Sequence, residues 1–423
     1  MHPRPPTPLI IRMEDLSPFG SYIARYEGIG TLRLSARRQA KVAFDLRQLD
    51  SGDLVVACQT DRFVDVFDAE SLVGSTTDGR TLRIENLEPV RSTVRSQGIN
   101  HGISYGRTAT ITSLMPGQLP QLLYDFSVVN LVLPTWTLQE GAINLETQDH
   151  KFRIRPIEGY RDVARQLSGL SRTSGVRITA RSRVRRKDGR PLTVDEAIDA
   201  TDELCLALSL CTGAKVNWIT AENGQWYRRH AARVTKGYSS WIYNLDWTLS
   251  PQRALTAWSR NANRDYFGAM VDYFIDAAGR GPYIETRALT AASLLDAITG
   301  EYSRLSHIEK WVDDSTWSAA RPNLVAAIDQ AATSTGVAAP LSRGVDGLQR
   351  RSLRSRLRHL FRAHNLPAGR LQDIIEVRND IVHYGRFPSN CDHVIAYELV
   401  LWTSFVVLAR LIGYRGSLPG PPP

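Results

Sequence analysis

Several things are scarce in this 423-residue chain, and each shortage removes a class of function. Its four cysteines (Cys58, Cys205, Cys211, Cys391) form no C-x-x-C pair and no dense framework. A disulfide scaffold and a Cys/His zinc cluster are therefore not expected, and a reducing cytoplasm is the simplest setting. No H-E-x-x-H helix is present, so no metal or other cofactor is predicted. Nor is there a G-x-x-x-x-G-K-[ST] loop or a G-x-S-x-G elbow, which leaves P-loop nucleotide hydrolysis and α/β-hydrolase chemistry without their parts. Long apolar runs are also lacking. The longest candidate, Val394 to Ile412, is interrupted by Glu398 and Arg410, leaving Leu399 to Ala409 unbroken. This falls short of the roughly 20 residues a membrane span needs, so a buried or interface helix is expected and no membrane partner. The opening Met-His-Pro-Arg-Pro-Pro lacks the apolar core of a signal peptide.

Acidic residues thin out near the end of the chain. From Arg343 to Arg386 ten arginines and no lysine face four acids, leaving +6 of the chain's net +9 in that stretch. Such a patch attracts phosphate backbones and acidic surfaces; a solvated arginine-rich helix face is the other reading. Inside it lies Glu376-Val377-Arg378-Asn379-Asp380-Ile381-Val382-His383-Tyr384-Gly385. Leu371, Ile374, Ile375 and Val382 give it an apolar face at helical spacing, and Gly385 with Pro388 beyond supplies a stop. His383 is thus predicted in the last helical turn, where the negative end of the helix dipole favours an imidazolium.

The order of elements predicts an α+β multidomain protein. Residues 1–186 read as a β-rich, sandwich-like domain of short strands: Val42–Leu46, Leu54–Ala57, Phe63–Phe67, Thr81–Ile84, Thr108–Leu114, Phe126–Leu133, Ile143–Thr147 and Val176–Ala180. Turn signals at Ser51-Gly52-Asp53 and Thr77-Asp78-Gly79 separate some of them. The basic run Arg181–Arg190 reads as a charged edge strand and linker, with RNA contact as the other reading.

Residues 187–250 form a mixed α/β connecting segment. It opens on a capping box at Thr193–Glu196, with a helix to Cys211 and a stop at Gly213. Strands are expected at Val216–Thr220, Trp226–Tyr227 and Trp241–Tyr243. Trp218, Trp226, Trp241 and Trp247 read as core or domain-interface packing rather than a base-stacking platform. Residues 251–415 form an all-α bundle with helices at Pro251–Asn261, Arg264–Ala278, Ile284–Leu305, Leu324–Gly336, Leu348–His364, Leu371–Tyr384 and Asp392–Ile412. A disordered Pro/Gly tail, 416–423, is expected to follow. In the Leu348–His364 helix, Leu353, Leu357, Leu360 and Phe361 face inward, while Arg350, Arg351, Arg354 and Arg358 form either an RNA-binding stripe or a solvated face. His359 and His364 belong to that basic side, and Arg386 extends it.

Arg378-Asn379-x-x-x-His383 resembles the R-N-x-x-x-H signature of HEPN domains, helical bundles many of which are metal-independent ribonucleases of bacterial defence and toxin systems. A β-rich N-terminal region followed by a terminal bundle is similar to the ApeA-type anti-phage proteins. The resemblance implies an endoribonuclease with Arg378, Asn379 and His383 at its site, acting by abortive infection. It further implies an acidic residue on another helix that holds the arginine: Glu285, Asp296 or Glu301. It implies RNA, possible transfer RNA included among its substrates, a second copy of the chain, and a phage-derived trigger at the N-terminal domain as partners. A non-catalytic HEPN-type binding module and a toxin held by an antitoxin are alternatives.

The residues allow the chemistry on their own terms. Metal-free RNA cleavage needs proton transfer at the 2′-hydroxyl and the 5′-oxygen, plus positive charge on the phosphate. His383 titrates near neutrality, and Arg378 offers a planar fork of donors. Asn379, four residues before His383, can orient the imidazole or the phosphate. Arg378 and His383, however, lie five residues apart, roughly 140° around a helix. One chain would struggle to aim both at one phosphate, which predicts a homodimer sharing the site. The competing reading is a salt-bridged helix end with Arg378 on Asp373 or Glu376.

Overall fold

A computed structural model describes residues 22–34, 38–49, 53–60, 69–94, 100–106, 108–112, 120–133, 141–168, 178–221, 226–228, 249–279, 283–332, 338–389 and 391–422. The chain divides into two compact units, residues 1–237 with 242–260, and 238–241 with 261–423. Together they make a mixed α+β protein.

In the first unit the strands are β1 (Tyr22–Leu34), β2 (Gln39–Leu49), β3 (Leu54–Thr60), β4 (Ala69–Thr76), β5 (Thr81–Glu85), β6 (Glu88–Val94), β7 (Asn100–Gly106), β8 (Thr108–Thr112), β9 (Tyr124–Val129), β10 (Ile143–Glu146), β11 (His150–Pro156), β12 (Ile178–Arg186), β13 (Asn217–Ala221) and β14 (Trp226–Arg228). They pair antiparallel in the order β10-β11-β12-β9-β13-β14-β8-β5-β4-β1-β2-β3-β7-β6. Six of the eight N-terminal strands, β1 to β5 and β8, share one core, including Leu32, Phe44, Leu54, Leu72 and Ile84. That region curls on itself, since a Cβ on Gly106 of β7 would meet Ile84 of β5. Three-residue β14 links it to the five remaining strands.

β1 was not foreseen, and its glycines explain why. At Gly30 and at its partner Gly74 on β4, a Cβ would strike the facing backbone, so the close approach needs residues that blur the strand pattern. The basic run also departs from expectation. β12 lies between β11 and β9 and is therefore an interior strand, not an edge. Arg181, Arg183 and Arg185 face solvent while Ser182 and Val184 are buried, so period-2 alternation puts the charges on one wet face. Phe63–Phe67 and Trp241–Tyr243 lie outside the described residues, as do Trp241 and Trp247.

Three helices accompany the strands: α1 (Tyr160–Ser168), α2 (Val194–Thr212) and α3 (Pro251–Ser259). α2 begins with the expected capping box, Thr193 and Glu196 bonding each other's backbone, and stops at left-handed Gly213. Trp218 is buried, donates to Asp202 at 2.8 Å and meets Phe126 edge-on at 5.2 Å, the core role expected of it.

The second unit holds α4 (Arg264–Ala278), α5 (Ile284–Leu305), α6 (Asp314–Ala332), α7 (Ala338–Gly344), a 3-10 turn (Val345–Gln349), α8 (Leu353–Ala363), α9 (Leu371–Tyr384) and α10 (His393–Leu411). α5 is central, packing on α4, α8, α9 and α10. Side-chain hydroxyls lock the bundle: Ser404 donates to the Ala291 carbonyl, Tyr397 to that of Ala277 and Tyr266 to that of Ala297. α10 is long and apolar enough to cross a membrane by composition, yet most of it is buried among the other helices.

Three expectations are corrected here. The helix predicted from Leu324 starts at Asp314 and runs through Pro322. Asp313 accepts from the Thr316 N–H at 2.8 Å and so starts the helix upstream of the proline. The helix predicted from Leu348 is broken: Ser352 caps α8, and the segment before it is the 3-10 turn. The Pro/Gly end, expected to be disordered, is packed through residue 422. The Pro419 carbonyl accepts from Trp402 Nε1 at 3.0 Å and that of Pro422 from Arg370 at 3.2 Å.

Candidate active site

α9 forms as its spacing predicts, with Leu371, Ile374, Ile375, Val377 and Ile381 buried. Val382, expected on that face, is only half-buried, and Val377 takes the inward position. Gly385 ends the helix in the left-handed conformation, φ 65°, its N–H donating to the Ile381 carbonyl at 3.0 Å.

Arg378 reaches across to α5. Its Nε donates to Asp296 Oδ1 at 3.0 Å, its Nη2 pairs with Asp296 Oδ2, and its Nη1 donates to Asn379 Oδ1 at 2.9 Å. Three of the five guanidinium N–H groups are thereby engaged. Of the three acids considered, Asp296 is the one that holds the arginine. Glu301 lies five residues further on, roughly 140° around α5. It pairs there with Arg304 at 2.9 Å, and this hydrogen bond holds its carboxyl below the usual range. The salt-bridged helix end is not found either. Asp373 pairs with Arg370 at 3.2 Å, and Glu376 accepts from Gln372.

The structure does not bring His383 to this cluster. It is exposed, its ring contact is Tyr384 at 6.5 Å, and no hydrogen bond joins it to Arg378, Asn379 or Asp296. Asn379, expected to serve the imidazole or the phosphate, turns its carbonyl to the arginine instead. The five-residue offset therefore keeps its consequence: within one chain the guanidinium is held inward while the imidazole is free.

The expected RNA-binding arginines lie in three places. Arg350 is exposed beside Lys310, in a bridge between the segments flanking α6 and the 3-10 turn. Arg351 donates to the Lys310 carbonyl at 3.2 Å and lies over the Trp311 ring at 4.5 Å, so packing occupies it. Arg354 and Arg358 are exposed one turn apart on α8, with Leu357, Leu360 and Phe361 buried behind them and Leu353 half-buried. His359 Nδ1 meets the Tyr302 hydroxyl at 2.9 Å. His364 is half-buried, and burial, followed by Arg415 and Arg410, pushes its pKa down. No group of three His, Cys, Asp or Glu among the described residues is arranged to hold a metal.

Arg386 was expected at the site, but its surroundings were not. It borders a cleft of about 180 Å³ with Glu285, Thr286, Leu289, Ile381 and Phe387. The signal that could have found it is a stripe on α5: Glu285, Leu289, Ala292 and Asp296 recur at four- and three-residue spacing, along one helix face.

Comparison with known proteins reaches a different part of the chain. Residues 123–237, within the first unit, match the family model of the YopA central domain. No curated protein and no solved structure matches the chain. The similarity covers β9 to β14 with α1 and α2, and none of the residues around Arg378.

Proposed function

We propose that the chain is a metal-independent HEPN endoribonuclease that cuts RNA by attack of a 2′-hydroxyl on the adjacent phosphate. The observation that carries this reading is Arg378, clamped by Asp296 from α5 and by Asn379 within a basic stretch. A guanidinium fixed in this way meets a phosphate without first losing its side-chain freedom. In the proposed reaction His383 takes the proton of the 2′-hydroxyl, whose oxygen bonds to phosphorus. The bond to the 5′-oxygen breaks, and that oxygen takes a proton, leaving a 2′,3′-cyclic phosphate and a 5′-hydroxyl. Two copies of α9 facing each other supply one imidazole as base and the other as acid, and the exposure of His383 fits this arrangement. The β-rich unit restrains the nuclease or senses a phage component, and the biological output is abortive infection in a bacterial cytoplasm.

A second reading, a HEPN-type module that binds RNA or a partner without cutting, is favoured by one observation: among the described residues no side-chain hydrogen bond holds His383, whose ring contact is Tyr384 at 6.5 Å. The two separate in one assay on purified protein, total RNA and EDTA. Strand scission with cyclic-phosphate ends, lost in His383→Ala and Arg378→Ala, supports the nuclease. Binding that falls steeply with salt and is never followed by scission supports the module. Scission that persists in both variants or disappears with the chelator sinks the proposed mechanism.

A further inference from the structure

The cleft between the start of α5 and the end of α9 has a chemistry that the phosphate-handling residues do not explain. Its walls are apolar, from Leu289, Ile381 and Phe387. Phe387 is buried and stacks on His393, with ring centres 4.6 Å apart and planes at 17°, which fixes the wall. On this apolar ground stand two opposite charges, Glu285 and Arg386. Among the described residues neither has an ion-pair partner, although both border the same space. The Arg386 guanidinium lies over the ring of Tyr384, a side chain that is 69% exposed. No side chain caps the first turn of α5, so backbone N–H groups beside Glu285 and Thr286 add donors.

The cleft and the Arg378 clamp are built on the same two helices, α5 and α9. Gly385, the residue that ends α9, and Ile381 line the cleft, and Ile381 and Tyr384 lie within two turns beyond Arg378, about 10 Å or less along the axis. On α5, Leu289 lies seven residues before Asp296, the same distance in the opposite chain direction. Arg378 on Asp296 is therefore one end of a seam whose other end is the cleft. A strand whose phosphate rests on Arg378 would lay a neighbouring base there. At about 180 Å³ the space is smaller than the roughly 300 Å³ at which pockets for drug-sized ligands begin, and suits one flat heterocycle.

We infer that this cleft is a base-recognition subsite for guanine in single-stranded RNA, next to the cut phosphate; the inference rests on the nuclease reading above. Guanine presents two parallel donors, N1–H and the N2 amino group, to a carboxylate, and O6 with N7 to a guanidinium. Glu285 and Arg386 supply that pair of partners. Adenine and cytosine bring one amino group each to the carboxylate, and uracil a single N–H. The apolar walls sandwich the ring, and exposed Tyr384 stacks on the next base, as unpaired RNA bases are commonly held.

Two readouts test this. Cut sites are mapped on a random-sequence RNA, and binding of AAGAA, AAIAA (inosine at the centre) and AAAAA is measured by fluorescence anisotropy on the His383→Ala protein. The expected results are cuts concentrated beside guanosine, a redistribution of cuts in Glu285→Gln but not in the exposed control Glu309→Gln, and about tenfold weaker binding of AAIAA than AAGAA, the worth of one hydrogen bond to a charged group. Cuts without regard to guanosine, or a Glu285→Gln pattern like the wild type, overturn the subsite and leave the nuclease reading standing. An absence of cutting overturns the nuclease reading. The oligonucleotides then decide the subsite alone: equal affinity for all three overturns it, and a guanine preference lost in Glu285→Gln with His383→Ala upholds it.

Discussion

Arg378 and His383 stand five residues apart on one helix and in opposite circumstances. The arginine is 14% exposed, holds a carboxylate from α5 that is 33% exposed, and is braced by its neighbour Asn379. The histidine sits in the last turn, open to solvent, and among the described residues no hydrogen bond fixes its ring. The difference separates two kinds of work. A group that must be charged and aimed is built into the packing, where it also contributes to stability. On the proposed reading the group that exchanges protons is the accessible one, where a partner or substrate can position it and where its loss does little to the fold.

That contrast can be broken at either end. The largest effect should come from Asp296→Ala, which leaves a mostly covered guanidinium without its counter-charge. Fully buried pairs lose about 3–5 kcal/mol when one partner goes, and the partial exposure of Asp296 reduces this to about 1–3 kcal/mol by urea unfolding. An unchanged midpoint would show that the clamp is not structural. Replacing Asp296 by Leu and Arg378 by Met together should recover most of that loss.

Gly385→Ala should cost less, about 1 kcal/mol, because alanine must adopt φ 65° while its Cβ meets nothing within 4 Å. A larger loss would mean that the helix end carries packing as well as a turn.

Acidification should act more weakly, through the far end of α5. His364 has its pKa lowered mainly by burial and then by Arg415 and Arg410, so the unfolded chain binds its proton more readily. Stability from this group is whole above pH 6.5 and is lost as the pH falls through the lowered folded value. Melting temperatures measured from pH 7.5 to 5 should fall less in His364→Gln than in the wild type; equal slopes would contradict the assignment.

The smallest effect on stability belongs to His383→Ala, within about 0.5 kcal/mol of wild type, while RNA scission is abolished. A marked destabilisation would erase the distinction between the two ends of the helix.

Where the helical period runs unbroken, the elements were legible to the residue. Arg264–Ala278, Ile284–Leu305 and Leu371–Tyr384 are helices with those bounds. α6 is expected only from Leu324 yet begins at Asp314, because the helix is exposed along most of its length and no apolar stripe marks its first turns. β12 was misplaced because charge suggests an edge, although three wet arginines suit one face of an interior strand equally well. At the site, helix phase alone separates Arg378 from His383. Choosing Asp296 over Glu285 and Glu301 requires the register of two helices 82 residues apart in sequence, which no local pattern contains. The cleft was invisible for the same reason: one of its two charges, Glu285, opens α5 and the other, Arg386, follows the end of α9.

Between α5 and α8 the chain makes an excursion of 47 residues, 306–352, that includes α6, α7 and the 3-10 turn. It departs and returns side by side, with the Trp311 N–H donating to the Gln349 carbonyl at 2.8 Å and the Arg351 N–H to that of Glu309 at 2.9 Å. An inserted segment with touching ends can be lengthened, shortened or exchanged between related chains with only a logarithmic penalty in closure entropy. The helices that frame Arg378 can thus stay fixed while that segment drifts, and its length and composition should be the variable quantities among descendants of this bundle.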